Sequence, residues 1–247
     1  MQPPFDLTGK ATLEDPHRRQ KQAWEYKLIN GLLAVWRKHQ ETVLEFLKKH
    51  RDVKKQTKAI GDDLVGNEKL WEAIRQDHIQ LLLPVFEQIM MEAAVIAIEG
   101  LPFSIGINWE LVNQAAATWA KKYTFDLVTG IDKTTQGALQ TALNNWITAG
   151  EDFPALIARV QLVFSNPIRA EMIAVTEATR AYATANVMAW KESGVVDGYI
   201  FNTAFDDIVC PLCLPLNGQV FPLKDQEHLP PLHVRCRCWT ATHVMET

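Results

Sequence analysis

Apolar residues recur at helical spacing along most of the chain. Trp24, Leu28, Leu32, Val35, Trp36, Val43 and Leu47 form one stripe between residues 17 and 52, which predicts a single long amphipathic helix. Gly31 lowers helix propensity near its middle without ending it. A polar linker, residues 54–68, leads into a second long helix from about Leu70 to Glu99, stopped by Gly100-Leu101-Pro102. Its apolar run from Ile79 to Ile98 is interrupted by Gln80, Pro84, Glu87, Gln88 and Glu92. Polar groups at that density are costly in hydrocarbon, so the run reads as a buried or interface helix kinked at Pro84, not as a membrane span.

From Asn108 onward the start and stop signals come closer together. Asn108 is placed to cap a helix carrying Leu111, Val112, Ala115, Trp119 and Tyr123, with Glu110 in its first turn. Asp132 is expected to cap a further helix to about Thr148, ended by Gly150, and a short one follows from Phe153 to about Phe164. Asn166-Pro167 opens a long helix reaching Glu192 and closed by Gly194. Trp119, Trp146, Trp190 and Trp239 read as anchors of the core. Beyond Gly194 the texture turns to β: Tyr199-Ile200-Phe201 is an apolar run, Asn217-Gly218 sits between apolar residues as a hairpin signal, and Trp239 to Met245 alternates. The expected fold is mainly α, with long N-terminal helices and a helical middle, followed by a small C-terminal α+β module with a β-hairpin and a Cys-rich zinc site. The expected domains are a helical arm over 1–105 and a second domain over 106–247, with the Cys-rich module at 195–247.

Composition adds that 247 residues at 47% apolar content can bury a sizeable core. The net charge of −4 hides an asymmetry: residues 17–58 hold twelve Lys/Arg against four Asp/Glu. Arg18, Arg19, Lys21, Arg37, Lys38, Lys48, Lys49, Arg51, Lys54 and Lys55 are therefore candidates for contact with nucleic acid or an acidic partner. The plainer reading is a solvated helix face, since aromatic residues do not interleave as in a base-stacking platform. Residues 1–7 lack a basic region followed by an apolar one, which predicts a reducing cytosol.

The candidate chemistry lies at the end of the chain. All four cysteines fall in the last 38 residues, as Cys210-x-x-Cys213 and Cys236-x-Cys238, with His233 just upstream. Thiolates around tetrahedral zinc lie roughly 3.8 Å apart, a spacing that Cys-x-x-Cys on a tight turn supplies. Cys236 and Cys238 would stand roughly 6.6 Å apart on a flat strand, so the backbone there must bend for both to reach one ion. Five donors compete for four positions, either four cysteines or three with His233, and paired disulfides remain the alternative chemistry. A closed shell of thiolates is structural, supplying folding energy to a module whose own core is small.

These pieces also occur in a recognisable order. Arg169-Ala170-Glu171-Met172-Ile173-Ala174-Val175-Thr176-Glu177, then Thr203-Ala204-Phe205-Asp206 leading to Cys210-Pro211-Leu212-Cys213 and Leu216-Asn217-Gly218, and finally Pro230-Pro231-x-His233-x-x-Cys236-Arg237-Cys238, resemble the phage Mu F-like head morphogenesis family over about residues 110–244. Arg169, Thr176, Glu177, Asp206 and Gly218 carry the motif; Val175 stands where the family usually has arginine. The resemblance implies a low-copy minor capsid protein that joins the portal protein during head assembly in the host cytoplasm and ends in the virion head interior. It further implies contacts with major capsid or scaffold protein and with packaged DNA, assistance to packaging or ejection, and no membrane partner.

Neither a phosphate-binding glycine loop nor a Ser/His/Asp ordering is present, so no enzymatic activity is expected. The alternative is a nuclease or transferase using Glu177 or the Asp206/Asp207 pair as acids. The plainer readings are a Glu177–Arg180 ion pair one turn apart and local turn-capping aspartates.

Overall fold

The computed structural model describes residues 14–50, 62–203 and 210–244. Among the described residues the main helices run in chain order as α1 (Arg18–Lys49), α2 (Glu68–Glu99), α3 (Trp109–Ala149), α4 (Phe153–Phe164) and α5 (Pro167–Ser193). They are followed by strands β1 (Val196–Asn202), β2 (Val220–Pro222) and β3 (Trp239–Val244), with a 3-10 turn at Leu214–Leu216. The mainly α architecture with a small C-terminal sheet is as the hydrophobic pattern predicts.

Start signals work through side-chain caps. Asn108 Oδ1 accepts from the Leu111 amide at 3.3 Å, Asp152 Oδ1 from Ala155 at 3.0 Å, and Asn166 Oδ1 from Arg169 at 3.0 Å. The expected start at Asp132 does not occur, because α3 runs unbroken through it for 41 residues. Gly130 alone does not stop a helix. Asp132 is 2% exposed and faces inward, 3.3 Å from His78 Nδ1 and 3.6 Å from Arg75 Nε, so its carboxylate faces these two side chains and not orphan amides. By length and composition α2 could cross a membrane, yet Leu82, Val85, Phe86, Ile89, Met90, Ala93 and Ala94 along it are buried within the protein.

The chain forms two compact units, one drawing its described residues from within Met1–Lys27, Pro84–Lys121 and Glu171–Thr247, the other from within Leu28–Leu83 and Lys122–Ala170. In the first unit the sheet order is β2-β1-β3, with both neighbours antiparallel to β1. Tyr199 faces Phe221 on one side and Thr242 on the other, and a bulge lies between Val196 and Gly198. Tyr199, Phe201, Phe221, Val187 and Trp190 share one apolar cluster with Cys213, Cys236 and Cys238.

Asn217-Gly218 makes a turn, but not a two-residue hairpin. The residues before it form the 3-10 turn, and β2 pairs with β1. Gly218 takes φ +73°, a left-handed conformation open to glycine, and its amide donates to the Phe201 carbonyl at 2.7 Å. Asn217 Oδ1 accepts from both the amide and the hydroxyl of Thr203, at 3.0 and 3.1 Å, fastening the turn to the end of β1.

The second unit buries a polar network among Leu28, Leu32, Trp36, Leu47, Leu82 and Leu139. Trp36 Nε1 donates to His78 Nε2 at 3.1 Å, which leaves the His78 proton on Nδ1, toward Asp132. His39 packs edge-on against His78 and lies 3.2 Å from Asp77. Burial, reinforced by His78, outweighs the Asp77 carboxylate and lowers the His39 pKa to about 4. His39 is therefore neutral when folded, while the unfolded imidazole takes up a proton below about pH 6.5. Between about pH 6.5 and 4 the unfolded state binds more protons, so stability falls as pH falls, by up to about 1.4 kcal/mol per pH unit from this one group. Urea unfolding of wild type and His39→Gln from pH 7 to 4.5 checks this, the variant showing the shallower decline.

Candidate metal centre

Two turns carry the donors. Cys210-Pro211-Leu212-Cys213 closes on itself, the Cys213 and Leu214 amides both donating to the Cys210 carbonyl at 3.0 and 2.9 Å. In the second turn the Cys236 amide donates to the His233 carbonyl at 3.2 Å, and Arg235 takes φ +63°, a left-handed conformation unusual for a residue with a side chain. The left-handed residue stands one position before the Cys236-x-Cys238 pair and turns the chain into it.

The turns meet at Cys213. Its sulfur lies 4.0 Å from Cys236 Sγ and 3.2 Å from His233 Nε2. Two donor groups share it, Cys213 with Cys236 and Cys238, and Cys213 with Cys210 and His233, the ligand atoms of each within 4.8 Å of one another. All four cysteines are free thiols, with Cys213, Cys236 and Cys238 buried and Cys210 half-buried. His233 Nδ1 donates to the Val234 carbonyl at 2.9 Å, which leaves the Nε2 lone pair facing Cys213. Hydrogen bonds from Cys213 and Cys238, with backbone amides of the same turn, hold the Cys236 pKa well below the ordinary thiol value. The pKa of Cys213, which donates to Cys236, is raised. Three buried sulfurs, and an imidazole whose Nε2 faces one of them, form a donor set that fits a metal ion.

Helices α1 and α5 hold this loop in place. Thr176 Oγ1 accepts from the Arg235 amide at 2.9 Å, and the Arg235 guanidinium lies 3.1 Å from Glu171. Between Cys236 and Cys238, the Arg237 carbonyl accepts from Lys21 Nζ at 3.4 Å, and the Arg237 side chain lies 3.9 Å from both Glu25 and Glu171. Burial raises the Glu25 pKa, against the opposing pull of Arg237 and Lys21.

Residues 137–241 match the sequence profile of the family described as Phage Mu protein F like protein. That segment belongs to the phage Mu F-like family. Comparison with curated proteins and with solved structures finds no match. The matched segment contains all five donors.

The motif residues take distinct positions. Arg169 donates to Thr135 Oγ1 and the Ile131 carbonyl at 3.1 Å and lies 5.0 Å from the Trp36 ring, which makes it a cross-helix fastener in the second unit. Thr176 belongs to the metal loop, Glu177 pairs with Arg180 at 3.1 Å, and Gly218 makes the turn described above. Val175 is fully buried, where an arginine would need a buried counterion. Asp206 and Asp207 lie outside the described residues, as do Arg51, Lys54 and Lys55 of the basic run. Arg18, Arg19, Arg37, Lys38, Lys48 and Lys49 are exposed along α1, with Lys38 2.7 Å from Asp77. Lys21 departs from that set: it is 4% exposed and paired with Asp15 at 2.9 Å, so its charge is committed inside the protein.

Sequence reasoning missed the residues around the loop. Lys21 and Glu25 fall within a charge-rich helix start and carry no local sign of contact with residues more than two hundred positions later. The buried histidines were legible in principle, since His39 continues the stripe through Trp36 and Val43, and His78 the one through Ile74 and Leu82.

Proposed function

We propose that this protein is a minor capsid component that joins the portal vertex while the phage head is assembled, remains inside the virion, and assists genome packaging or ejection. The family match over residues 137–241 carries the reading. The role is structural, with Glu177 committed to an ion pair with Arg180 and no catalytic step assigned to it. The exposed basic residues of α1 support contact with portal or packaged DNA.

The ion proposed for the Cys213 cluster is zinc, which favours thiolate and imidazole ligands in closed tetrahedral structural sites. Cys213, Cys236 and Cys238 supply three thiolates, and either His233 or Cys210 completes the shell. When bound, zinc ties the 210–213 turn to the 233–238 loop, and so to β3, which the loop leads into.

Capture of portal from cells assembling heads tests the assembly role. Portal should accompany the tagged full chain and be recovered less well when Arg37, Lys38, Lys48 and Lys49 are neutralised together; equal recovery would remove these side chains from the portal contact. DNA affinity should weaken steeply with salt, and neutralising Arg37, Lys38, Lys48 and Lys49 together should flatten the log–log slope by about 0.9 for each phosphate no longer neutralised by the protein. An unchanged slope would show that these side chains are only a solvated face.

A further inference from the structure

The structure assigns Thr176 a function as the positioning residue of the metal loop, an inference that rests on the zinc reading above. Arg235 lies between His233 and the Cys236–Cys238 pair, and its left-handed backbone, φ +63°, directs the chain after His233 so that both later sulfurs face Cys213. Such a conformation is unfavourable for a residue with a Cβ and persists where its surroundings hold it.

What holds it is on α5. Thr176 Oγ1 donates to the Met172 carbonyl one turn back, at 2.6 Å, which fixes the hydroxyl proton and leaves a lone pair facing out of the helix. That lone pair accepts from the Arg235 amide at 2.9 Å. Thr176 is 7% exposed, so water is poorly placed to replace it as acceptor. The Arg235 side chain reaches the same helix at Glu171, but both partners are 41% exposed, and an ion pair of that exposure adds little. The hydroxyl of Thr176 is thus the restraint from outside the loop that adds to the Cys236-to-His233 turn bond in holding the backbone conformation at Arg235. A rigid helix supplies it, which is how outer groups commonly fix the ligands of a metal site.

The test uses the full chain and four variants, measuring zinc affinity by competition with a chelator and the visible spectrum of the cobalt-substituted protein. Thr176→Val keeps the branched shape and removes the acceptor, and should bind zinc about 10–100-fold more weakly with an altered cobalt spectrum. Thr176→Ser keeps the hydroxyl and should match wild type. Arg235→Gly adopts the left-handed conformation freely, so in combination with Thr176→Val it should recover most of the missing affinity, whereas Arg235→Gly alone should bind at least as tightly as wild type. A role limited to general stability would lower the unfolding midpoint of Thr176→Val without moving zinc affinity or the cobalt spectrum, and that outcome overturns the assignment. So does a double variant no better than Thr176→Val. A wild-type chain that takes up no zinc overturns the metal reading and the role of Thr176 together, while a zinc-binding wild type matched by Thr176→Val overturns the latter alone.

Discussion

Cys213→Ser should release the C-terminal module, with hydrogen exchange accelerated across the 210–213 turn, residues 233–238 and β3, while α4 and the Trp36–His78 region exchange as in wild type. Cys213 belongs to both donor groups, so its removal dismantles each, whereas Cys210→Ser or His233→Ala leaves the three buried thiols together. Structural zinc in small domains contributes on the order of 10 kcal/mol at neutral pH, and here part of that is shared with an apolar cluster that includes Trp190, Tyr199 and Phe201. The expected ranking of damage is Cys213→Ser, then Cys236→Ser and Cys238→Ser, then His233→Ala and Cys210→Ser. Hydrogen exchange resolved to peptides measures it, and equal damage from Cys210→Ser and Cys213→Ser would contradict the shared position of Cys213.

Lys21→Met should destabilise the fold by about 3–5 kcal/mol, the usual result of leaving a buried charge without its partner. The substitution strands Asp15, 8% exposed and 2.9 Å from the ammonium, and removes the donor to the Arg237 carbonyl. It also removes one of the cations that oppose the effect of burial on Glu25. Lys21→Met combined with Asp15→Leu should recover most of the stability, since an apolar pair can replace a buried ion pair. Chemical denaturation gives the free energies. In DNA binding the single variant should keep the wild-type salt slope, because its charge does not reach solvent, and a flattened slope would place Lys21 back among the contact residues.

The element order was legible because helices here announce themselves through stripes such as Trp24–Leu28–Leu32 and caps such as Asn108, Asp152 and Asn166. Asp132 misled because a polar residue amid helical spacing looks alike whether it caps an end or is buried against His78 and Arg75. Only the neighbouring helix distinguishes the two. Asn217-Gly218 signals a hairpin in the sequence but makes a turn that does not join two paired strands, because Phe201 of β1 accepts and Thr203, just beyond β1, donates the bonds that fix it.

For the candidate site, the donor residues and the need for a bend between Cys236 and Cys238 followed from thiol chemistry and strand rise. The left-handed residue stands just before that pair and is an arginine, which no propensity would select, and its amide is held by Thr176, 59 positions earlier. Thr176 was visible in the sequence only as a motif position. The contact of its hydroxyl with the metal loop turns that position into a physical role.

Native mass spectrometry of the full chain, purified without chelator, tests the central claim most directly. One zinc ion per chain is predicted, released on acidification together with the protection of Cys213, Cys236 and Cys238 from alkylation. A metal-free native mass with those three thiols open to alkylation would contradict it.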